Sequence, residues 1–159
     1  MNGCGSGWRH LATSSHVSPS SLDGSVEVVV SGVSRKPASV LIVEDDALVG
    51  SYIETVLSES GFEIVGVAAS APEAQSLADE HHPTLALVDI RLTGPIDGIE
   101  LACLLREKFG VPAIFLTGFD DLDTEARAQA ARPLGYLAKP VRPSQIYTAL
   151  EQALEQLKP

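Results

Sequence analysis

Three acidic residues, Glu44, Asp45 and Asp46, follow directly after the apolar run at residues 40–43. Carboxylates crowded at the end of a buried strand lose hydration and repel one another, which costs on the order of several kcal/mol unless something compensates. A hard divalent cation such as Mg²⁺ prefers oxygen ligands and would compensate for this crowding. The stretch therefore points to a cation site, provided that further ligands stand nearby in the fold.

Three more polar side chains stand at the ends of apolar runs. Asp89 and Thr117 are the next-to-last residues of the runs at 84–90 and 112–118, and Lys139 follows the run at 134–138. If the runs are parallel strands, their carboxyl ends share the edge of the sheet at which ligands bind. Glu44, Asp45 and Asp89 would then form an oxygen cage for Mg²⁺, with a hydroxyl and an amine beside it.

The elements that would position these residues alternate from Ser39 onward. Five apolar runs, at 40–43, 62–69, 84–90, 112–118 and 134–138, predict strands, and a predicted helix follows each of them. Strands that are apolar throughout are typical of a parallel sheet covered by helices on both faces. The predicted fold class is a doubly wound α/β domain with a five-stranded parallel sheet.

Local signals set the predicted helix limits. Asp46 is an N-cap for the first helix, which an apolar stripe supports and Gly61 ends; the stripe consists of Leu48, Val49, Tyr52, Ile53, Val56 and Leu57. Ser70 and Glu73 form a capping-box pattern before the second helix. The third helix is predicted at 99–109 before Gly110, and the last opens with Pro143 in its first turn.

Composition divides the chain near Pro37. Residues 1–37 contain nine Ser and five Gly and predict a mostly disordered extension, with one stray strand at 26–30, before a domain at 38–159. The net charge of −10 argues against nonspecific nucleic-acid binding. No apolar run approaches the roughly 20 residues of a membrane span. Cys4 and Cys103 lack metal-binding spacing and fit a reducing compartment, so we expect a cytoplasmic protein.

Four motifs together resemble the receiver domain of bacterial two-component response regulators over residues 38–158. They are "VLIVEDD", "LALVDI", "FLTG" and "YLAKP", on the first, third, fourth and fifth predicted strands. Asp45 and Asp89 are 44 residues apart, Thr117 follows Asp89 by 28, and Lys139 follows Thr117 by 22, all similar to the family's spacing. The resemblance implies a CheY-like fold with strand order 2-1-3-4-5.

In this family Asp89 would accept a phosphoryl group from a histidine kinase or phosphotransfer protein. The resemblance implies that Mg²⁺ is bound by Asp45, by Glu44 mainly through water, by Asp89 and by the backbone carbonyl of Arg91. The phosphate would be held by Thr117, by the amide of Gly118 and by Lys139. Such a protein is not an enzyme in the ordinary sense, although it catalyses its own phosphorylation and slow dephosphorylation.

The resemblance also implies a switch. Thr117 would move toward the phosphate and make room for Tyr136 to turn inward, although core packing is an open alternative role for Tyr136. The Lys139-Pro140 peptide would be cis.

Two departures from the family pattern concern loops beside the site. The loop after Asp89 reaches its Asp97-Gly98 turn one residue late, with Thr93-Gly94 where proline usually comes sooner. Thr117 is followed by Gly118 and Phe119, which resembles a subgroup of stand-alone receivers with a Phe-x-Thr-Gly-aromatic motif and should relax the backbone.

The fourth predicted helix, which follows Phe119, has few large apolar residues, so we predict that it is the least stable element. Arg91 and Phe119 are predicted to influence the lifetime of the phosphoryl group.

Taken singly, each site residue has a plainer reading, such as turn chemistry for Asp89 or a solvated charge for Lys139. The leading hypothesis is a single-domain response regulator with an unknown output partner, since the sequence ends at Pro159 without an output domain. Alternatives are a degenerate receiver that binds partners without phosphorylation, and an aspartyl phosphohydrolase, although Arg91 stands where such an enzyme has an acid. Homodimerisation through the fourth and fifth strand–helix units stays open.

Overall fold

The computed structural model describes residues 36–118 and 122–159. Within it, Pro37–Pro159 form one compact unit. The predicted extension at 1–37 lies almost wholly outside the described residues, as do the predicted strand at 26–30, Cys4 and Phe119.

Five strands and five helices alternate along the described chain, as the apolar runs predict. The strands are β1 (Ser39–Val43), β2 (Glu63–Ala68), β3 (Leu85–Asp89), β4 (Ala113–Thr117) and β5 (Gly135–Ala138). The helices are α1 (Ala47–Glu59), α2 (Ala71–His81), α3 (Gly98–Phe109), α4 (Leu122–Ala130) and α5 (Pro143–Gln156). No helix in the described ranges is long and apolar enough to cross a membrane.

The strands form one parallel sheet in the order β2-β1-β3-β4-β5, which confirms the predicted fold class and strand order. The order reverses direction between β1 and β3, so the loops after these two strands diverge at one edge. Ligands of doubly wound sheets bind in the crevice at such a switch point. The register places Val43 beside Val88, and hence the residues that follow each of them side by side.

Alternate side chains of the central strands enter two separate cores. Leu41 and Val43 face the core beneath α2 and α3, whereas Val40 and Ile42 face the core beneath α1 and α5. All four side chains are fully buried. Burial on both faces explains why these strands are apolar without alternation.

Most of the predicted helix limits are confirmed. The Asp46 carboxylate caps α1 by accepting from the amides of Leu48 and Val49, Gly110 ends α3 in the left-handed conformation with φ 67°, and α5 begins at Pro143. The capping box of α2 forms in a modified way. Ser70 Oγ accepts from the Glu73 amide at 3.4 Å, but Glu73 accepts from the amide of Ala69 instead of that of Ser70.

The predicted apolar stripe of α1 is wrong at two positions. Ile53, Val56 and Leu57 are buried, but Leu48 is 83% exposed and Tyr52 is 41% exposed. Leu48 and Tyr52 are one turn apart and lie on the solvent side of α1, whereas the buried residues face the sheet.

Candidate functional site

Three carboxylates meet at the switch point of the sheet. Glu44 and Asp45 follow β1, and Asp89 ends the neighbouring strand β3, so the parallel register brings them together. One oxygen from each of the three lies within 4.8 Å of the others. Glu44 and Asp89 are the buried charged residues of the described chain, whereas Asp45 is half-buried. The predicted cluster of acids is therefore present.

Lys139 reaches the same cluster from the end of β5. Its Nζ lies 2.7 Å from Glu44 Oε2 and donates a hydrogen bond to Asp89 Oδ2 at 3.0 Å. The Lys139 amide donates to the carbonyl of Thr117 at 2.8 Å, which fixes the start of the side chain. The Lys139-Pro140 peptide is cis, as the resemblance implied.

The environment shifts the protonation of both partners in this ion pair. Burial raises the pKa of Glu44 from 4.5 to about 6, and the Asp89 charge adds to the rise, while Lys139 and the Asp46 amide reduce it. Burial alone would lower the pKa of Lys139, but the two carboxylates outweigh it and the pKa is raised. Lys139 therefore stays protonated between Glu44 and Asp89, and its single positive charge does not balance the two negative charges of these carboxylates.

The donor set fits a hard divalent cation. Three carboxylates and one ammonium leave a formal charge of −2 in the cluster, which a dication would neutralise. Oε2 of Glu44 is buried, and its partner among the described residues is the Lys139 ammonium, whose nitrogen lies 2.7 Å away as an ion pair. A carboxylate oxygen can accept more than one partner, and oxygen ligands are those that Mg²⁺ prefers.

The backbone around Asp89 holds its carboxylate firmly. Asp89 Oδ1 accepts a hydrogen bond from the Arg91 amide at 3.0 Å. Gly98, the first residue of α3, packs against the same strand end, and its amide donates to the Ile90 carbonyl at 2.9 Å. The sequence indicated a turn at Asp97-Gly98, but the close approach of Gly98 to Asp89 was not predicted.

Thr93 also bears on the site and was missed. Its amide and its hydroxyl both donate to Asp45 Oδ2, at 3.2 Å and 3.0 Å. The only signal in the sequence was the unusual Thr93-Gly94 pair in this loop, where Gly94 has φ 126°. That pair indicated an altered loop beside the acids and gave no hint of the contact itself.

Thr117 and Gly118 stand where the prediction puts them, at the end of β4. The register aligns Asp89 with Leu116, so the half-buried Thr117 lies one residue beyond the neighbour of Asp89. Gly118 has no φ in the left-handed region, and a Cβ there would meet nothing within 4 Å. The backbone conformation of Gly118 is thus one that other residues can adopt, and the relaxation of the backbone by this glycine stays a prediction.

Tyr136 and Arg91 both lie at the surface. Tyr136 is 42% exposed, and one side of its ring packs against Phe115 with centroids 6.0 Å apart. Burial and the charge of Glu125 raise the pKa of the Tyr136 hydroxyl. Arg91 is exposed, and its main-chain amide is engaged with Asp89.

A family model described as the response regulator receiver domain matches residues 40–151. The chain belongs to this family. Among its relatives, the transcriptional regulatory protein PdtaR of Mycobacterium tuberculosis is 37% identical over 122 residues, which cover 77% of this chain and 59% of PdtaR. The phyllosphere-induced regulator PhyR of Methylorubrum extorquens is 31% identical over 116 residues, covering 72% of this chain and 43% of PhyR. The receiver thus spans about half the length of these regulators.

Solved structures agree with the family assignment. The signal receiver domain of a modulated diguanylate cyclase from Desulfovibrio desulfuricans G20 is 37% identical with a TM-score of 0.73, covering 76% of this chain and 96% of that domain. A CheY-like receiver domain protein from Methanospirillum hungatei JF-1 is 27% identical with a TM-score of 0.70 and the same coverage. The resemblance and the fold are confirmed, whereas the Phe-x-Thr-Gly-aromatic subgroup stays a prediction.

Proposed function

We propose that this receiver accepts a phosphoryl group on Asp89 in a Mg²⁺-dependent reaction and thereby changes its protein-binding surface. The observation that carries the proposal is the contact of Lys139 with both Asp89 and Glu44, at the point where three carboxylates converge. Asp89 would be a buried nucleophile beside the Lys139 ammonium and a cluster of carboxylates suited to Mg²⁺. This arrangement suits phosphoryl transfer, in which positioning and charge neutralisation dominate.

In the transfer, a carboxylate oxygen of Asp89 attacks the phosphorus of a phosphohistidine on a kinase or phosphotransfer protein. The new P–O bond forms as the P–N bond breaks, and its electron pair returns to an imidazole that leaves neutral because its other nitrogen carries a proton. The Arg91 amide already orients one oxygen of Asp89, and Lys139 contacts the other. Hydrolysis would reverse the modification when water attacks the phosphorus and the same P–O bond breaks.

A bound Mg²⁺ would neutralise negative charge on the transferring group. Asp45, Asp89, the carbonyl of Arg91 and, through water, Glu44 are the residues that would hold it. Lys139 would exchange its contact with Asp89 Oδ2 for an oxygen of the phosphoryl group, while Glu44 keeps the ammonium at the site. The Thr117 hydroxyl and the Gly118 amide would hold further phosphate oxygens.

The readout would run from Thr117 to Tyr136. Movement of Thr117 toward the phosphoryl group frees space behind it, into which the exposed Tyr136 ring turns from its present position against Phe115. The charge added at Asp89 thereby alters the surface formed by β5 and its neighbours. A kinase or phosphotransfer protein upstream and an output protein downstream, acting in the cytoplasm, complete the proposal.

Acetyl phosphate provides a direct test, because its phosphoryl group can pass to Asp89 with release of acetate. With Mg²⁺ the full chain should gain one phosphoryl group in intact-mass spectrometry, and Asp89→Asn should gain none. Asp79→Asn, an exposed position on α2, is the matched control and should be labelled like the wild type. No adduct on the wild type would support the degenerate-receiver alternative, and steady release of inorganic phosphate from added phosphoesters would support the phosphohydrolase.

A further inference from the structure

Asp45 differs from the other two acids in what holds it. Glu44 and Asp89 are buried and touch the Lys139 ammonium, whereas Asp45 is half-buried and its described hydrogen bonds come from Thr93 alone. Both Thr93 donors converge on a single oxygen, Oδ2, although 48 residues separate the partners.

An acid in this position has a physical reason to leave the cluster. Glu44 and Asp89 lie close enough to share a cation with Asp45, so their charges repel it when no cation is bound. A half-exposed carboxylate relieves such repulsion by rotating toward solvent. Two donors on Oδ2 oppose that rotation, and hydrogen bonds to charged acceptors are stronger than those between neutral groups.

We propose that Thr93 is a positioning residue for the cation site, which holds the Asp45 carboxylate by Oδ2 so that its other oxygen is directed by the protein before the cation arrives. The inference rests on the proposed function for the identity of the cation. It gives the unusual loop before α3 a role, because a residue of that loop orients a ligand that belongs to the end of β1. Groups that orient metal ligands commonly set metal affinity although they do not touch the metal.

The test compares two substitutions of Thr93 by calorimetric titration with Mg²⁺ alone. Thr93→Val keeps the shape and the amide donor but loses the hydroxyl, and its Kd for Mg²⁺ should rise about threefold to tenfold, below the largest effects known for such groups because the amide bond remains. Thr93→Ser keeps a hydroxyl and should restore an affinity within about twofold of the wild type. Thr93 is exposed, so neither substitution should impair folding. If Thr93→Val does impair it, Thr93→Ala repeats the test.

Thr55→Val is the matched control, because Thr55 is an exposed threonine on α1 whose hydroxyl donates to the Ser51 carbonyl. Its loss should leave the Mg²⁺ affinity unchanged. Equal affinity of Thr93→Val and the wild type would overturn the inference, and so would an affinity loss that Thr93→Ser shares in full.

Labelling by acetyl phosphate at graded Mg²⁺ separates this inference from the proposed function. Thr93→Val should need about threefold to tenfold more Mg²⁺ for half-maximal labelling, with an unchanged rate at saturation. A wild type that binds Mg²⁺ but is never labelled would reject the proposed function, and the calorimetric comparison would still decide the role of Thr93. A lower rate at saturating Mg²⁺ with an unchanged Mg²⁺ requirement would reject the positioning role.

Discussion

Gly98 packs its α-carbon directly against the backbone carbonyl of Asp89. A Cβ built on Gly98 would lie 1.9 Å from that oxygen and 2.8 Å from the Asp89 carbonyl carbon. Atoms at such distances overlap, and both neighbours are main-chain atoms that cannot turn aside as a side chain could. Helix α3 thus starts in contact with the strand that carries the candidate nucleophile, and this contact leaves no room for a side chain at the first residue of the helix.

Gly98→Ala should therefore displace either α3 or the end of β3. We expect the free energy of unfolding to fall by about 1–3 kcal/mol, as for other substitutions that force backbone shifts in a packed region. Urea denaturation measures this loss. Gly135→Ala is the control, because a Cβ at Gly135 meets nothing within 4 Å, and its effect should be small. Equal stability of the two variants would show that α3 can shift freely relative to Asp89.

Asp97 serves two neighbours at once. Its Oδ1 accepts from the Glu100 amide at 3.0 Å and so caps α3, while its Oδ2 accepts from Arg127 on α4 at 2.7 Å. Asp97→Ala should cost about 1 kcal/mol of unfolding free energy through loss of the cap, and Asp97→Asn should cost less because asparagine also caps helices. Urea denaturation of both variants separates the cap from the charge, and equal losses would contradict this division.

The charge of Asp97 has its own pH signature. Burial alone would raise the pKa of Asp97, but the Glu100 amide and Arg127 outweigh it and the pKa is lowered from 3.8. A lowered folded-state pKa means that the charge stabilises the fold above pH 3.8 and that this contribution fades as the pH falls below it. The stability difference between wild type and Asp97→Asn should accordingly shrink on acidification below that pH.

Leu48 and Ile53 show where the helical pattern succeeds and where it fails. Both belong to the apolar stripe of α1, but Ile53 is fully buried and Leu48 is 83% exposed. Ile53→Ala should cost about 2–4 kcal/mol of unfolding free energy, whereas Leu48→Ala should change it by less than about 0.5 kcal/mol. Comparable losses in urea denaturation would place Leu48 in the core after all.

The fold could be predicted because its signal is local and repeated. Buried strand segments such as residues 40–43 are apolar on both faces, and Asp46, Gly110 and Pro143 mark helix limits by their own backbone chemistry. The stripe of α1 failed at Leu48, beside the cap, and at Tyr52 one turn later, because an apolar residue at the edge of a stripe can belong to either face. Periodicity alone does not say where the stripe begins.

The acids and Lys139 could be predicted to converge because all follow strands of one parallel sheet. The contacts of Gly98 and Thr93 could not, since each depends on the path of the loop between β3 and α3. A glycine before a helix and a threonine in a loop have many ordinary uses. Only the folded loop shows that Thr93 meets Asp45, which is 48 residues away in sequence.

The prediction that α4 is the least stable element remains open to measurement. Of the α4 side chains described from Thr124 onward, only Ala128 is buried, whereas α1 buries Ile53, Val56 and Leu57. Little apolar burial gives a low free energy of local opening. Amide hydrogen exchange in α4 should therefore be faster than in α1, and slower exchange in α4 would refute the prediction.

Cation binding should stabilise the protein in a way that depends on Asp45. A ligand that binds the folded state stabilises it by about 2.7 kcal/mol at a concentration 100 times its Kd, and Mg²⁺ would also relieve repulsion among Glu44, Asp45 and Asp89. Urea denaturation with Mg²⁺ or with chelator measures the gain. Sodium chloride at matched ionic strength controls for general screening of the −10 net charge.

Asp45→Asn removes one ligand charge from this cluster and leaves the acids elsewhere on the surface intact. Its gain from Mg²⁺ should be less than half that of the wild type, whereas its stability in chelator should equal or exceed the wild-type value because one repulsive charge is gone. A full gain in Asp45→Asn would mean that Mg²⁺ acts on the acidic surface at large. The difference between the two proteins therefore measures the site itself, since general screening affects both of them alike.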